Sequence, residues 1–434
     1  MKKVLLYQLT LFFYVFSASA QNKSQDSLKL SLEECIELVF KNNHNRQSIV
    51  LNELSAQESY NQSKLELLPN LSATIGESYS QSKGSGIDWS GNYGLNTGVA
   101  VYQGGYVRST IENVRLSSEQ SKYRTTQYDN ELTIQVLQSF LTALGNEELL
   151  RYQNAVLKAS NEQLNQGKIR YEAGDILQSD FLMLEAQYAN DLSNVLETKI
   201  SRNNSLNSLK NLMSIDLSQE IKIIYPDESM LNTMGIMPSE DEFIARSMET
   251  LPELRIIDYD VKIAKTGVQI SRSSFFPTIS LSAGIATGHT SNFNRYGTQL
   301  NNRLNENVGI TLNIPIFNNG RTKTKVTQSK ISLQQYELER KQTELDVMQT
   351  LNQEFQNVVL AESKFKSSQI QQNAYLASYE AYKLKFEQGS ITAVELLQQQ
   401  NNYIHVLNDY IQSKYGFLLK RKVLDVYMGY PVQL

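Results

Sequence analysis

Cysteine is nearly absent from this chain. Cys35 is the one thiol in 434 residues, so no intrachain disulfide can form, and no cysteine follows the first apolar run to carry a lipid anchor. Cys35 sits on the apolar face of a short predicted helix with no second Cys or His near it, which marks it as a packing residue. Histidine is also scarce: His44, His289 and His405 are scattered, without HExxH spacing or a cysteine pair, so no metal site is expected. No Walker loop, GxSxG elbow or GxGxxG fingerprint occurs; Gly84, Gly86 and Gly91 fall in what reads as a loop between strands. Neither a catalytic centre nor a cofactor is therefore expected. An excess of basic residues is missing too: 41 Lys and Arg stand against 45 Asp and Glu, so a nucleic-acid partner is not expected.

Long apolar runs are confined to the first twenty residues. Lys2 and Lys3 precede the apolar stretch Val4 to Phe16, and Ser17-Ala18-Ser19-Ala20 supplies the small residues of a cleavage site. Residues 1–20 read as a secretory signal peptide; a membrane anchor is the rival reading, but the run is shorter than the ~20 residues a spanning helix needs. Cleavage leaves 39 basic residues against 45 acidic ones, a net charge of −6. With no later apolar segment, any membrane passage must use a β-barrel, because only helices and closed barrels satisfy every backbone polar group in lipid.

What the chain does have is an internal repeat. SLEECIELVF from Ser31 leads to LLPNLSATIG at Leu67, and 208 positions later SEDEFIARSM from Ser239 leads to FFPTISLSAG at Phe275, so Pro69 recurs as Pro277 and Gly76 as Gly284. Beyond that the offset is 215: YQGG with Gly105 matches FNNG with Gly320, and YEAGDI with Gly174 matches FEQGSI with Gly389. The extra residues of the second copy fall between Gly284 and Gly309, in a polar segment where a length change is cheap. The division that follows is a first repeat over 21–214, a linker over 215–238 and a second repeat over 239–434.

Each repeat reads as helix, strand, loop, strand, long helix, turn, helix. Period-two alternation predicts strands around Leu71, Ala73 and Ile75; around Tyr93, Leu95, Val99 and Val101; from Ile279 to Ile285; and from Val308 to Ile316. One face is apolar and the other small or polar, as suits lipid outside and water inside, although a soluble amphipathic sheet alternates likewise. The polar stretches Ser78 to Asn92 and Gly288 to Asn305 read as loops, and Trp89, Tyr93, Tyr102 and Tyr296 as an aromatic girdle. From Tyr106 to Ala173, and again from Arg321 to Gln388, there is no proline, and Leu150, Leu157, Leu164 and Tyr171 recur every seven residues. A continuous helix of that length would reach on the order of 100 Å, and heptad spacing predicts coiled-coil packing. Four strands cannot close a barrel whose smallest form has ~8, so identical copies must complete the wall; ring sizes of two, three or four remain open on this argument.

This order resembles the TolC family of outer-membrane efflux proteins over nearly the whole mature chain. The resemblance rests on LSLEECIEL at Leu30 to Leu38, LLPNLS and FFPTIS before strands, YQGG and FNNG after them, and the YEAGDI and FEQGSI turns. It implies a mixed α and β protomer with two tandem repeats, assembling as a homotrimer with a 12-stranded β-barrel in the outer membrane and an α-helical barrel across the periplasm. It also implies docking to a periplasmic adaptor and through it to an inner-membrane transporter, with lipid around the barrel. His44 departs from the pattern, standing where the second copy has Pro252, which puts a helix break there in doubt.

By the same resemblance the turns are the periplasmic tips, and Gly174, Asp175, Ile176, Gly389, Ser390 and Ile391 are the expected adaptor-docking surface. A glycine that ends a helix needs no such role. Asp180, Glu185, Glu395 and Gln398, just beyond the turns, are the candidate pore constriction, where rings of carboxylate would favour cations; acids in a first turn also simply favour the helix dipole. Pro69, Gly105, Pro277 and Gly320 mark the strand–helix junctions. The functional expectation is a passive export duct driven by a partner pump. Protein or peptide secretion through the same duct is one alternative, and a non-conducting, envelope-spanning coiled-coil protein is another.

Overall fold

The computed structural model describes residues 28–82, 86–225, 237–291 and 295–432; the expected signal peptide, Gly84 and Pro226 lie outside them. Helices α1 (Leu32–Asn42) and α2 (His44–Leu65) lead into strands β2 (Asn70–Ser82) and β3 (Gly86–Gln103), then helices α3 (Tyr106–Glu172) and α4 (Gln178–Leu212). The second half runs α5 (Glu240–Thr250), α6 (Pro252–Ser273), β5 (Thr278–Thr290), a short α7 (Tyr296–Asn302), β6 (Asn305–Asn313), α8 (Arg321–Glu387) and α9 (Ala393–Tyr427). A small parallel sheet joins β1 (Leu28–Leu30) to β4 (Ile221–Ile223), so the expected linker over 215–238 contains an ordered strand.

Both long helices, α3 and α8, have 67 residues, which at ~1.5 Å each makes them about 100 Å long. Each starts at a left-handed glycine, Gly105 at φ +83° and Gly320 at φ +76°, where the backbone turns from the sheet into the helix. Near the sheet, α3 packs against α2 and α6, and α8 also packs against α6. Farther along, α3 pairs with α4 and α8 with α9, forming two antiparallel hairpins joined mainly through α3 and α9. The main core lies at mid-height, where Leu132, Val136, Phe140 and Leu144 of α3 meet Leu209, Leu407, Ile411 and Cys35. Burial there pushes the Cys35 thiol up to about 12, in keeping with a packing role.

The helix break in doubt at His44 is present. Asn43 leaves the helical region with ψ 120°, much as Leu251 does with ψ 128° before Pro252. Where the second copy uses proline, the first uses a cap: Asn43 Oδ1 accepts from Arg46 N at 3.0 Å, and Asn43 Nδ2 donates to Leu212 O at 2.9 Å. A capping box starts α1, with Ser31 N donating to Glu34 Oε2 at 2.8 Å.

The four long strands form one antiparallel sheet in the order β2-β3-β5-β6. Three expectations need correction. Ser78 to Asn92 is not a loop: β2 runs on to Ser82 and β3 begins at Gly86, so Gly86 and Gly91 are strand residues. Polar side chains there misled because an antiparallel ladder can continue without an apolar face. The stretch from Gly288 to Asn305 likewise holds the end of β5 and the helix α7. The last strand stops at Asn313, leaving Ile314 and Ile316 outside it; Pro315 between them has no N–H for a ladder.

Candidate functional site

Register places the side chains of the sheet on two contrasting faces. Leu71 and Ile75 of β2, Leu95 and Val99 of β3, Leu281 and Ile285 of β5, and Val308, Ile310 and Leu312 of β6 share one face. Much of it is exposed in the single chain, with Leu71 76%, Ile75 77%, Val308 80% and Ile310 75% accessible. The opposite face carries Ser72, Thr74, Asn92, Asn96, Ser280, Ser282, Asn307 and Thr311 with interspersed glycines. Exposed Val, Ile and Leu in such a contiguous sheet face call for a non-aqueous surrounding.

Aromatic residues flank that apolar band on both sides. At the end away from the helices, Trp89 Nε1 donates to Glu77 Oε2 at 2.9 Å, Tyr93 also donates to Glu77, and Tyr93 and Tyr296 hydroxyls lie 3.0 Å apart. His289 stacks beside Tyr93, a position open because a Cβ on Gly91 would lie only 2.3 Å from its ring. At the helix end, Tyr102, Tyr106, Phe275, Phe276 and Phe317 are exposed. Tyr102 thus falls on the opposite rim from Trp89, Tyr93 and Tyr296, and the phenylalanines of the second rim were not anticipated. The nine steps from Tyr93 to Tyr102 span about 30 Å along the strand, or about 23 Å along the normal at the tilt of membrane barrels. That matches the ~25 Å apolar band of such proteins.

Helix α7 covers the apolar face, not the polar one. Thr287 Oγ1 donates to Leu300 O at 2.5 Å, and Thr287 shares its face with Tyr93. Where β6 no longer reaches, Gln299 replaces a strand, accepting from Thr290 N at 2.9 Å and donating to Thr290 O at 3.0 Å.

At the other end of the molecule the two helix turns close identically. Gly174 has φ +79° and Gly389 φ +71°. Asp175 N donates to Arg170 O at 2.8 Å and Gly174 N to Tyr171 O at 3.0 Å; Ser390 N donates to Lys385 O at 2.9 Å and Gly389 N to Phe386 O at 3.0 Å. This is the paired hydrogen-bond pattern that ends a helix with a left-handed residue. Gly174, Asp175, Gly389 and Ser390 are exposed, and Ile176 and Ile391 are half-buried. Arg170 joins the two turns, with its guanidinium over the Phe386 ring and Nη1 donating to Phe386 O.

Of the acids beyond the turns, Asp180 is half-buried, and Glu185, Glu395 and Gln398 are exposed. Glu395 has a local task. Its carboxylate accepts from Thr392 N at 2.9 Å and Thr392 Oγ1 at 3.0 Å, and these bonds, the backbone one foremost, hold its pKa below the usual carboxylate range. Leu177 replaces Thr392 in the first copy, so α4 lacks that side-chain cap.

The junction residues hold the sheet to the helices. Pro69 and Pro277 each stand one residue before a strand, and Gly105 and Gly320 each open a long helix. The residue before each of those glycines is also left-handed: Gly104 at φ +59° and Asn319 at φ +54°. A Cβ on Gly104 would lie 2.7 Å from Ser273 O, so this glycine also permits close packing, a constraint that its sequence context did not signal.

Comparison with known proteins agrees with this geometry. The sequence matches the outer membrane efflux protein family over residues 35–214 and 244–429. It is 21% identical to outer membrane protein TolC of Vibrio cholerae serotype O1 over 395 residues, covering 87% of this chain and 89% of that protein. It is 22% identical to the alkaline protease secretion protein AprF of Pseudomonas aeruginosa, over 74% of this chain and 65% of that one. In fold it is similar to CusC, with a TM-score of 0.79 at 15% identity over 95% of this chain and 96% of that one. The open-state outer membrane channel MtrE of Neisseria gonorrhoeae gives 0.74 at 19% identity over 92% and 89%. Matched along both repeats, from the mid-height core to the helix turns, the chain belongs to the outer membrane efflux protein family.

Proposed function

We propose that this outer-membrane efflux protein works as a homotrimer whose three sheets close a 12-stranded barrel above a continuous helical tunnel. One observation carries the reading: β2 and β6 each keep a free edge within the chain, while the sheet exposes an apolar band rimmed by aromatics. Unpaired backbone groups at that depth cost several kcal/mol each in lipid, so the free edges call for partners. Pairing β2 of one copy with β6 of the next supplies them, and the polar face then lines a water-filled bore. The heptad residues Leu338 and Leu345 of α8, 65% and 61% exposed in the single chain, suit helix contacts between copies.

In this reading residues 21–214 and 239–434 are the two halves of each protomer's wall, joined by 215–238. Gly174, Asp175, Ile176, Gly389, Ser390 and Ile391 receive a periplasmic adaptor, which connects the duct to an inner-membrane transporter. Asp180, Glu185, Glu395 and Gln398 form the narrow entrance, where rings of negative charge favour cations. The chain supplies a passage and no chemistry; the transporter supplies energy and selects cargo. Small toxic molecules or metals are the cargo class favoured by the efflux family. Protein secretion is the second reading, favoured by the similarity to the protease secretion protein AprF. A non-conducting spacer leaves the alternating sheet and its rims without a purpose.

The decisive experiment is native mass spectrometry of the detergent-extracted protein together with planar-bilayer recording. A trimer with stable ohmic conductance is expected. A monomer that needs no detergent would overturn the proposal.

A further inference from the structure

The two helical hairpins, α3 with α4 and α8 with α9, meet around one buried carboxylate. Asp191 of α4 is 2% exposed, and Ser160 of α3 and Gln400 of α9 around it are 2% and 1% exposed. Ser160 donates its hydroxyl to Asp191 Oδ2, Gln187 Nε2 donates to Oδ1 at 2.8 Å, and Gln400 Nε2 reaches Oδ2 at 3.3 Å and Ser160 Oγ at 3.2 Å. Three helices from both hairpins therefore converge on a single acid, and no lysine or arginine acts on it. The titratable groups that face it are the Tyr379 phenol of α8 and, stacked on that ring, Tyr403 of α9. Burial pushes both further above their usual range, so both stay neutral.

The same seam is rich in oxygen acceptors that find no donor among the protein atoms: Gln400 Oε1, Gln163 Oε1, Gln153 Oε1 and Asn408 Oδ1. A small cavity of about 10 Å³ adjoins it, lined by the polar Asp191, Gln153, Asn194 and Asn408 and by four aliphatic side chains, which is about the room one water centre needs. An ionised carboxylate here takes up the Ser160, Gln187 and Gln400 donors and offers none to those acceptors. A protonated one removes the buried charge and supplies a donor.

We propose that Asp191 is a proton-operated latch between the two hairpins: protonated, it holds α9 against α3 and α4; ionised, it draws water into the seam and lets α9 separate. Desolvation raises the Asp191 carboxyl above its ordinary value, partly offset by the Ser160 and Gln187 hydrogen bonds. The packed seam thus binds the proton more tightly than a hydrated seam, where the pKa is that of an ordinary aspartate. Acid favours packing, and that preference fades as pH rises through the elevated pKa, tenfold in the packed-to-open ratio for each unit of elevation. The consequence for transport rests on the channel reading: acidification should narrow the duct.

The test uses the full-length protein in detergent. Hydrogen exchange of segment 395–410, corrected for intrinsic rates, is followed from pH 4 to 8, and bilayer conductance is recorded over the same range. Wild type should be more protected at acid pH than at neutral pH, with conductance falling in parallel. Asp191→Asn should stay at the acid-side protection and conductance throughout. Gln400→Leu keeps the acid but removes its donor on α9, and should move the midpoint up by about one pH unit; it serves if Asp191→Asn fails to fold. Protection that is independent of pH in wild type, or a profile unchanged in the variants, would overturn the latch. Protection that changes as stated in a protein that never conducts would uphold the latch and discard the channel.

Discussion

Arg170 of α3 donates from Nη1 to the carbonyl oxygen of Phe386 in α8 at 3.1 Å, with its guanidinium carbon 5.4 Å from the centre of the Phe386 ring. The two helix turns of the chain are thereby tied at the end of the helical hairpins farthest from the sheet. A cation beside the last carbonyls of α8 also opposes the negative end of its dipole. Arg170→Ala should cost about 1–2 kcal/mol of local stability. Limited proteolysis should then cut faster within 172–177 and 387–392, with the oligomer intact by gel filtration; unchanged cleavage would mean that the tie contributes little.

Substituting the turn glycines tests the proposed docking role apart from folding. A Cβ on Gly174 meets nothing within 4 Å, and one on Gly389 meets only Arg170 Nη2 at 3.3 Å. The cost of Gly174→Leu or Gly389→Leu is therefore the positive φ, about 1–2 kcal/mol, and not a clash. Assembly should survive while drug efflux from cells falls to the level of a deletion strain. Efflux at wild-type rate would remove the turns from the docking surface.

If the proposed entrance ring exists, Asp180 and Glu395 should set ion preference. Asp180→Asn and Glu395→Gln are each expected to lower cation over anion selectivity, read from the reversal potential across a salt gradient; an unmoved potential in both argues against the charged ring. Gln also completes a capping box, so Glu395→Gln should keep α9 intact. The lowered pKa of Glu395 means that its cap is present above the ordinary carboxylate range and lost as pH falls through the depressed value. Glu395→Gln should remove that acid sensitivity from the start of α9.

Glu148 is 5% exposed and accepts from Lys414 Nζ at 2.9 and 3.1 Å and from Tyr415 OH at 2.6 Å. Glu148→Leu leaves a nearly buried ammonium and phenol unpaired, and should lower stability by about 3 kcal/mol. Adding Lys414→Met should restore most of that loss in thermal unfolding, whereas an equally unstable double variant would show that the loss lies in packing.

The first repeat can borrow the proline of the second. Asn43 already has the extended conformation required before proline, and residue 44 is the first of its helix. His44→Pro should therefore raise stability by about 0.4–1 kcal/mol through the unfolded chain; a lower melting temperature would show that the two breaks differ in geometry.

Much of this fold was legible because its signals are local. The glycines that end and begin the long helices, Gly174, Gly389, Gly105 and Gly320, stand out since a left-handed residue is needed at each point and the repeat shows each twice. Asn43 was not recognised as the break before His44, because a cap requires the partner N–H to be placed before an asparagine can be told from a surface residue. The strand past Ser78 was missed for a related reason. Its pairing with β3 is set by the ladder already running toward it, and not by an apolar face of its own.

Arg170, the second aromatic rim and the Asp191 cluster were invisible for a stronger reason. Arg170 and Phe386 are 216 positions apart, and Ser160 and Gln400 are 240 apart. No window of sequence contains either pair.

From its order of residues alone the chain determined two copies of one design, the place and length of the long helices, and too few strands to enclose a pore alone. Those properties follow from periodicity, proline absence and turn chemistry, which act over a few neighbours. Only tertiary structure decided which helix faces meet, that α7 lies on the apolar side, and that both hairpins close on one buried acid. Such contacts depend on the crossing and register of helices about 100 Å long, where a shift of one turn exchanges every partner.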